Sequence, residues 1–240
     1  MKIGKWIKGY FNPAKDKRID IGRRQIIGAA IVGAAGAALM KGNPLEDGKT
    51  HEAGLIRPPG SVAEKDFLEK CVRCGECMKV CPTNAVQPVM LEAGLEGLWT
   101  PILKPELGYC EYKCNMCTQV CPTDAIAKMT LTEKQKVKIG LAHVDRSRCL
   151  PWAYAKACQV CYEQCPLPEK AIKLEDTKVT TMKGTEIAMK QPRVNAELCI
   201  GCGICENKCP VPDQAAIRVT SVGETRNFRN QFLSADRYSG

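Results

Sequence analysis

Sixteen cysteines in this 240-residue chain occur in four motifs whose spacing is typical of iron–sulfur ligation. The first motif reads Cys71-x2-Cys74-x2-Cys77-x3-Cys81-Pro82. Bacterial ferredoxins use this spacing to hold [4Fe–4S] clusters on cysteine thiolates, and in two-cluster ferredoxins the fourth cysteine ligates the neighbouring cluster. The motif therefore predicts one-electron chemistry and a second motif that shares its ligands.

Three further motifs use all of the remaining cysteines, and in each of them proline follows the fourth cysteine. Proline fixes φ and withholds a backbone donor where the chain must turn away from a cluster. The sequence thus predicts four [4Fe–4S] clusters with sixteen iron ligands. Beyond the first motif, these ligands are Cys110, Cys114, Cys117, Cys121, Cys149, Cys158, Cys161, Cys165, Cys199, Cys202, Cys205 and Cys209.

Two other uses of cysteine compete with this interpretation. Structural zinc also uses paired C-x2-C units, but it needs only four ligands per ion and no regular third cysteine. Disulfides are plausible in an exported chain with an even number of cysteines. The regular third cysteine favours iron–sulfur clusters over zinc, and thiols already ligated to iron before export would not be free to form disulfides.

The charge of the chain first suggests an anionic partner, because the formal net charge is +9. Residues 1–40 hold eight Lys or Arg and two Asp, so this segment contributes +6 and the rest of the chain only +3. A [4Fe–4S] core with four thiolates carries about −2, so four clusters would bring residues 41–240 to roughly −5. We therefore expect no nucleic-acid partner.

The segments around the motifs predict an α+β fold, a tandem or nested pair of bacterial-ferredoxin-like units. A small residue and an apolar residue follow each motif, for example Ala85-Val86 and Ala216-Ile217, and indicate the start of a strand. Ser61 to Lys70 is predicted to be a short helix with Ser61 as N-cap and Glu64 completing a capping box. The Gly- and Pro-bearing stretch around Trp99 is expected to be a loop that covers a cluster.

The first 40 residues indicate export. Arg23-Arg24 precedes a weakly apolar, Gly- and Ala-rich run from Ile26 to Met40, which is short for a membrane span but suits a signal peptide. The arginine pair resembles a twin-arginine signal. We therefore predict a signal or anchor at 1–40, with peripheral membrane association possible through residues 23–40, and an extracytoplasmic, periplasmic location. A linker at 41–60, a four-cluster domain at 61–223 and a polar tail at 224–240 complete the predicted organisation.

Catalytic motifs are not recognisable in the sequence. His51 and His143 are the two histidines, and neither has a visible ligand or catalytic constellation. The third motif contains an eight-residue insertion, residues 150–157, whose Trp152 and Tyr154 either shield a cluster or form a docking surface. We expect a non-catalytic electron-transfer subunit. The alternative is an iron–sulfur enzyme or maturation factor that uses one cluster at a substrate site.

Residues 20 to about 222 resemble the MauM/NapG-type ferredoxin proteins. The most specific likenesses are the widened third motif, from Asp145 to Pro166, and the loop from Gly94 to Pro101. The resemblance implies an electron relay between a membrane-associated redox partner, such as a quinol dehydrogenase or ferredoxin-type protein, and a second redox protein. It does not define which motifs share ligands.

Two sharing schemes are compatible with the motifs. Either the first motif pairs with the second and the third with the fourth, or the pairing is nested. Analogy with other four-cluster electron-transfer subunits favours the nested scheme, in which Cys209 joins Cys71, Cys74 and Cys77. In that scheme Cys165 would join the second motif.

Overall fold

The computed structural model describes residues 55–180 and 186–226, in which the elements are short and lie between the cysteine motifs. The signal or anchor at 1–40, His51 and most of the linker lie outside the described residues, as does the tail from residue 227. In chain order the elements are α1 (Glu64–Lys70), α2 (Glu76–Lys79), β1 (Val86–Pro88), β2 (Pro101–Leu103), α3 (Met116–Val120), α4 (Leu131–Lys134), β3 (Leu141–Val144), α5 (Leu150–Ala153), α6 (Val160–Glu163), β4 (Ile172–Thr180), β5 (Glu186–Val194), α7 (Ile204–Asn207) and β6 (Ile217–Thr220).

The strands form antiparallel pairs in a pattern that occurs twice. The strand that leaves the first motif, β1, pairs with β2, which precedes the second motif, and Val86 lies opposite Leu103. In the same way β4 leaves the third motif and pairs with β5, which precedes the fourth. In each half, the chain between the two motifs is therefore a hairpin whose strands are hydrogen-bonded to each other.

A second pairing joins the outer ends of each half. The strand β3 enters the third motif and pairs with β6, which leaves the fourth, with Leu141 opposite Thr220. In the first half the corresponding contact is a single bridge between Ser61 and Ile126. The two halves thus share one plan, a mixed α and β arrangement consistent with ferredoxin-like units.

The largest apolar core crosses from one half to the other. Ile56 and Leu103 come from the first half, and Leu141 and Ile217 come from the second. Buried cysteines belong to the same core, which is what a chain with only 5% aromatic residues requires. The cysteine motifs therefore contribute to the apolar core, and their packing helps to stabilise the fold.

The start of the folded domain differs from the expectation. Residues 55–59 were assigned to the linker, but all five are buried, and the N–H of Leu103 donates to the carbonyl of Ile56 at 2.7 Å. The helix α1 begins at Glu64, and the predicted Ser61 cap is wrong because the Ser61 hydroxyl donates to the Pro58 carbonyl instead. In residues 55–180 and 186–226, no helix is long and apolar enough to cross a membrane.

Buried ion pairs join the N-terminal and C-terminal segments of the described domain. The Arg57 guanidinium is buried and pairs with Glu64, and it also donates to Thr100 Oγ1 at 2.8 Å. Arg226 pairs with the same Glu64 at 2.7 Å and with the buried Glu224 at 2.7 Å. The folded domain consequently extends at least to residue 226, three residues beyond the boundary expected from the sequence.

Candidate iron–sulfur site

The structure gathers the sixteen cysteines into four quartets, each made of three cysteines from one motif and the fourth from another. Three quartets line small cavities of about 20 Å³ each, and in the remaining one the thiols lie close enough to influence one another's ionisation. Quartet A is Cys71, Cys74, Cys77 and Cys121; quartet B is Cys110, Cys114, Cys117 and Cys81; quartet C is Cys199, Cys202, Cys205 and Cys165; and quartet D is Cys149, Cys158, Cys161 and Cys209.

This grouping shows that the nested pairing favoured above is wrong. Cys209 lines the cavity of Cys149 and Cys161 rather than that of Cys71. The reason lies in the strand pairing, because the chain that enters the first motif is bonded to the chain that leaves the second. The Val62 N–H, for example, donates to the Ala125 carbonyl at 3.1 Å. That contact brings the fourth cysteine of the second motif to the first motif.

The quartets are more buried than ordinary reactive thiols. Burial is the main cause that raises the pKa of Cys77 to about 12 and that of Cys161 to about 12, and neighbouring thiolates add to it. A buried thiol resists ionisation, and crowding several of them increases that resistance. Thiolate ligands in such sites therefore require a compensating cation, which the iron of a cluster would supply.

Backbone N–H groups point at several sulfurs from the residues that follow or face the motifs. The N–H of Ile126 donates to Cys121 Sγ at 3.4 Å, and that of Ala216 donates to Cys209 Sγ at 3.4 Å. Burial acts to raise the pKa of Cys121, but hydrogen bonds, that from the Ile126 N–H first, outweigh it and lower the pKa. Such bonds stabilise negative charge on sulfur, and they are one of the means by which proteins set cluster potentials.

Disulfides and single zinc ions are the two competing uses of these cysteines. All sixteen cysteines are free thiols in the structure. Within residues 55–180 and 186–226, no group of three or more His, Cys, Asp or Glu side chains could hold a single metal ion. This finding is compatible with the quartets, because the cysteines of a [4Fe–4S] cluster bind different irons rather than one ion. The donor set, four thiols around one cavity, fits such a cluster.

The quartets follow one another in the order A, B, C, D. Cys77 of quartet A belongs to an apolar cluster against which Cys117 of quartet B packs. Between B and C, the Cys110 N–H donates to the Cys202 carbonyl at 2.8 Å. Between C and D, Cys205 lies in the large apolar core and Cys161 packs against that core. Each quartet therefore has a close neighbour, and A and D lie at the ends of the series.

A buried lysine beside quartet B was missed by the sequence analysis. The Lys134 side chain is 2% exposed, and its Nζ donates to the carbonyls of Glu111 and Tyr112. Burial raises the pKa of Cys110, while the charge and hydrogen bond of Lys134 oppose that rise. Nothing in the local sequence distinguishes Lys134 from the exposed Lys136, so only the tertiary structure reveals this cation.

The insertion of the third motif packs against the β4–β5 hairpin. Trp152 lies in α5, and its Nε1–H donates to the Pro192 carbonyl at 3.3 Å. The guanidinium groups of Arg146 and Arg193 lie over the indole at 4.5 and 5.3 Å from its centroid. Tyr154 is 59% exposed and makes no such contacts. The two aromatic residues of the insertion therefore have different surroundings, one packed and one facing solvent.

Comparison with known proteins identifies relatives of the chain. The 4Fe-4S binding domain family matches residues 66–87 and 192–212, which contain the first and fourth motifs. The methylamine utilization ferredoxin-type protein MauM of Methylorubrum extorquens is 37% identical over 194 residues, covering 78% of this chain and 84% of that protein. The ferredoxin-type protein NapG of Escherichia coli is 34% identical over 184 residues, covering 75% of this chain and 78% of that protein.

A further relative is also a MauM protein. The methylamine utilization ferredoxin-type protein MauM of Methylobacillus flagellatus is 34% identical over 195 residues, covering 80% of this chain and 78% of that protein.

The two motifs matched by the family model are the ones with glycine after their second cysteine, Gly75 and Gly203. Both glycines have positive φ, +78° and +81°, and each precedes a helix that carries the third cysteine.

Proposed function

Because the chain belongs to the ferredoxin-type family that includes MauM and NapG, we propose that its four quartets bind four [4Fe–4S] clusters and form one electron-transfer path. The family membership and the 4Fe-4S domains make it an iron–sulfur protein of electron transfer. The number of clusters and their ligands, all sixteen cysteines, are part of the proposal. When bound, such a cluster takes up and releases single electrons.

The observation that carries this proposal is the continuous order of the quartets. The Cys110 N–H bonds directly to the Cys202 carbonyl, so the two halves of the domain meet at quartets B and C. A path with two ends can serve two protein partners. The chain contributes burial, N–H groups on sulfur and the Lys134 charge, all of which influence the potentials at which electrons enter and leave.

The partners and location form a second part of the proposal. We assign one end of the path to a membrane-associated redox protein and the other to a second redox protein, on the extracytoplasmic side of the membrane. The support is the twin-arginine-like Arg23-Arg24 and the apolar run behind it. Transient redox interfaces are small, so modest and salt-sensitive affinities are expected at both ends.

Reductive titration with EPR tests the cofactor part of the proposal. Protein purified without oxygen should be brown, absorb at about 400 nm, and contain iron and sulfide for four [4Fe–4S] clusters. Stepwise reduction should produce signals from four clusters, with magnetic interaction between neighbours in the fully reduced protein. Fewer clusters, zinc in place of iron, or a cluster with no interacting neighbour would contradict the proposed path.

Substitution of the arginine pair tests the location. Changing Arg23 and Arg24 to Lys should leave the protein in the cytoplasm with its clusters intact, if the twin-arginine route reads this pair. Fractionation of cells that produce the native-sequence and substituted proteins gives the answer. Unchanged export would mean that the leader acts as an ordinary signal or anchor.

A further inference from the structure

One end of the described domain carries an apolar surface beside quartet A. Nine large hydrophobic side chains are exposed in residues 55–180 and 186–226, and five of them belong to one loop and the motif next to it. We call these five the apolar loop surface. They are Val72, Met90, Leu91, Leu95 and Trp99, and their exposed fractions range from 53% to 71%.

The loop that carries this surface has a fixed position. The Val89 N–H donates to the Thr100 carbonyl at 2.8 Å, and the Trp99 N–H donates to the Val89 carbonyl at 2.8 Å. Arg73, between the first two cysteines of the motif, donates to the carbonyl of Leu98 at 2.9 Å and to that of Glu96 at 2.6 Å. The Arg73 side chain therefore attaches the loop to the first motif, beside quartet A.

Arg73 holds this position in an unfavourable backbone conformation. Its φ is +57°, whereas the corresponding residue of the fourth motif is Gly201, with φ +73°. Left-handed backbone costs a non-glycine residue about 1–2 kcal/mol, so glycine is the easier choice at this position. The sequence uses arginine here, and the two bonds to the loop are what this arginine provides beyond a glycine.

Quartet A also contains a cysteine that is open to solvent. Cys74 is exposed, and the other fifteen cysteines are buried or half-buried. Val72 and Arg73 line the same cavity as Cys74. Apolar side chains beside an exposed ligand form the kind of patch that marks a protein interaction site.

The N-terminal segment enters the domain beside the same loop. Leu55, the first described residue, is buried against Val89 and Ile102, and Ala93 of the loop packs on this group. The 54 residues before it include the apolar run from Ile26 to Met40. The chain therefore enters the described domain at Leu55, beside the loop that carries the apolar loop surface.

We propose that the apolar loop surface docks a membrane-embedded redox protein and places that partner's redox centre next to Cys74. This inference rests on the proposed electron-transfer function and specifies which end of the path meets the membrane partner. One electron would leave the reduced centre of the partner and be taken up at quartet A, with no bond made or broken. The opposite end, at quartet D, then remains for the second redox protein.

Two variants remove the surface in different ways, and a third serves as a control. The double substitution Leu91→Gln and Leu95→Gln changes two side chains that are 71% and 69% exposed, so the fold should be unaffected. The substitution Arg73→Gly keeps the left-handed backbone at lower cost but releases the loop from the motif. Ile187→Gln removes an exposed apolar side chain from the β4–β5 hairpin, away from the loop.

The first measurement is electron uptake by the full-length, cluster-loaded protein. Membranes from the bacterium that makes the protein are reduced with a quinol, and bleaching of the cluster absorbance is followed. We expect the double variant and Arg73→Gly each to be reduced at least about tenfold more slowly, a change of about 1.4 kcal/mol. Reduction by dithionite should be equal in all proteins, and Ile187→Gln should behave as the native sequence does.

The second measurement identifies what covers the surface. Benzoylphenylalanine placed at Leu95 should cross-link to a cofactor-bearing membrane protein when the full chain is mixed with these membranes, and the same probe at Ile187 should not. Cross-links to lipid alone, or to residues 1–54 of the same chain, would overturn the proposal. So would membrane-dependent reduction of the double variant at the native rate. If dithionite reduced no cluster, the proposed electron-transfer path would itself be wrong.

Discussion

The backbone N–H of Cys110 donates to the backbone carbonyl of Cys202 at 2.8 Å, and this bond joins a ligand of quartet B to a ligand of quartet C. Asn207 strengthens the same junction, because its Nδ2 donates to the carbonyl of Pro105 at 3.1 Å. Cys110 also packs against the apolar core that both halves share. The two halves are therefore joined at the residues that carry the proposed electron path.

Ligand substitution should reveal which motifs share a cluster. Cys209→Ser and Cys158→Ser should perturb the same EPR signal, since both cysteines line the quartet D cavity. Cys121→Ser should instead perturb the signal that responds to Cys74→Ser, because these two line the quartet A cavity. Potentiometric EPR of the four single variants makes the comparison. A shared effect of Cys209→Ser and Cys74→Ser would support the nested scheme and contradict the quartets described above.

Removal of the buried lysine should lower one potential. Lys134→Met eliminates a positive charge beside Cys110, so adding an electron to the cluster of quartet B becomes less favourable. We expect its midpoint potential to fall by about 50 mV, close to the 59 mV that corresponds to tenfold in a one-electron couple. Lys136→Met is the matched control, because Lys136 is exposed and two residues away. Equal shifts in both variants would mean that the position of Lys134 is irrelevant.

Loss of the Glu64 charge should destabilise the domain. Glu64→Gln leaves Arg57 buried without its counter-ion, and breaking a buried pair costs about 3–5 kcal/mol. Unfolding in guanidinium, followed by loss of the cluster absorbance, should be faster at pH 7, by about 150-fold if about 3 kcal/mol is lost entirely on the unfolding side. Glu92→Gln, which removes an exposed pair with Lys104, should change the rate little.

The effect of Glu64 should also depend on pH. Burial acts to raise the pKa of this carboxyl, but Arg57 and then Arg226 outweigh it, and the pKa lies below its usual 4.5. A carboxyl with a lowered folded pKa stabilises the protein above the unfolded pKa, and this contribution disappears as pH falls through the folded pKa. The rate difference between the native sequence and Glu64→Gln should therefore be full at pH 7 and shrink below about pH 4.5.

The two aromatic residues in the insertion of the third motif should differ in their effect on the cluster of quartet D. Trp152→Ala removes the indole that lies under two guanidinium groups and that bonds to Pro192, which lines the quartet D cavity. We expect the EPR signal of that cluster to be lost in air about tenfold faster, as expected for a change of about 1.4 kcal/mol. Tyr154→Ala should not alter this rate, because Tyr154 is exposed. Equal loss of all four signals would mean that Trp152 supports the whole domain instead.

The amino-acid sequence alone determined the chemistry of the protein. Cysteine spacing is a local property, since three cysteines of each quartet come from one motif, and it therefore indicated [4Fe–4S] binding without any knowledge of the fold. The Ala-Ile and Ala-Val pairs likewise marked the chain that leaves each motif, as at Ile217, where β6 begins. The motifs also carried enough information to identify the family.

The tertiary structure alone decided how the motifs are combined. The origin of the fourth ligand depends on which distant strands pair, and the single bridge between Ser61 and Ile126 is too short to produce a pattern in the sequence. The same reason explains Lys134, whose environment is created by chain segments more than twenty residues away. The sequence likewise did not indicate that Arg73 binds the loop, because the carbonyls of Leu98 and Glu96 that it contacts are more than twenty residues away. Local spacing specifies which cysteines belong to one motif, whereas long-range pairing specifies which motif supplies the fourth cysteine of each quartet.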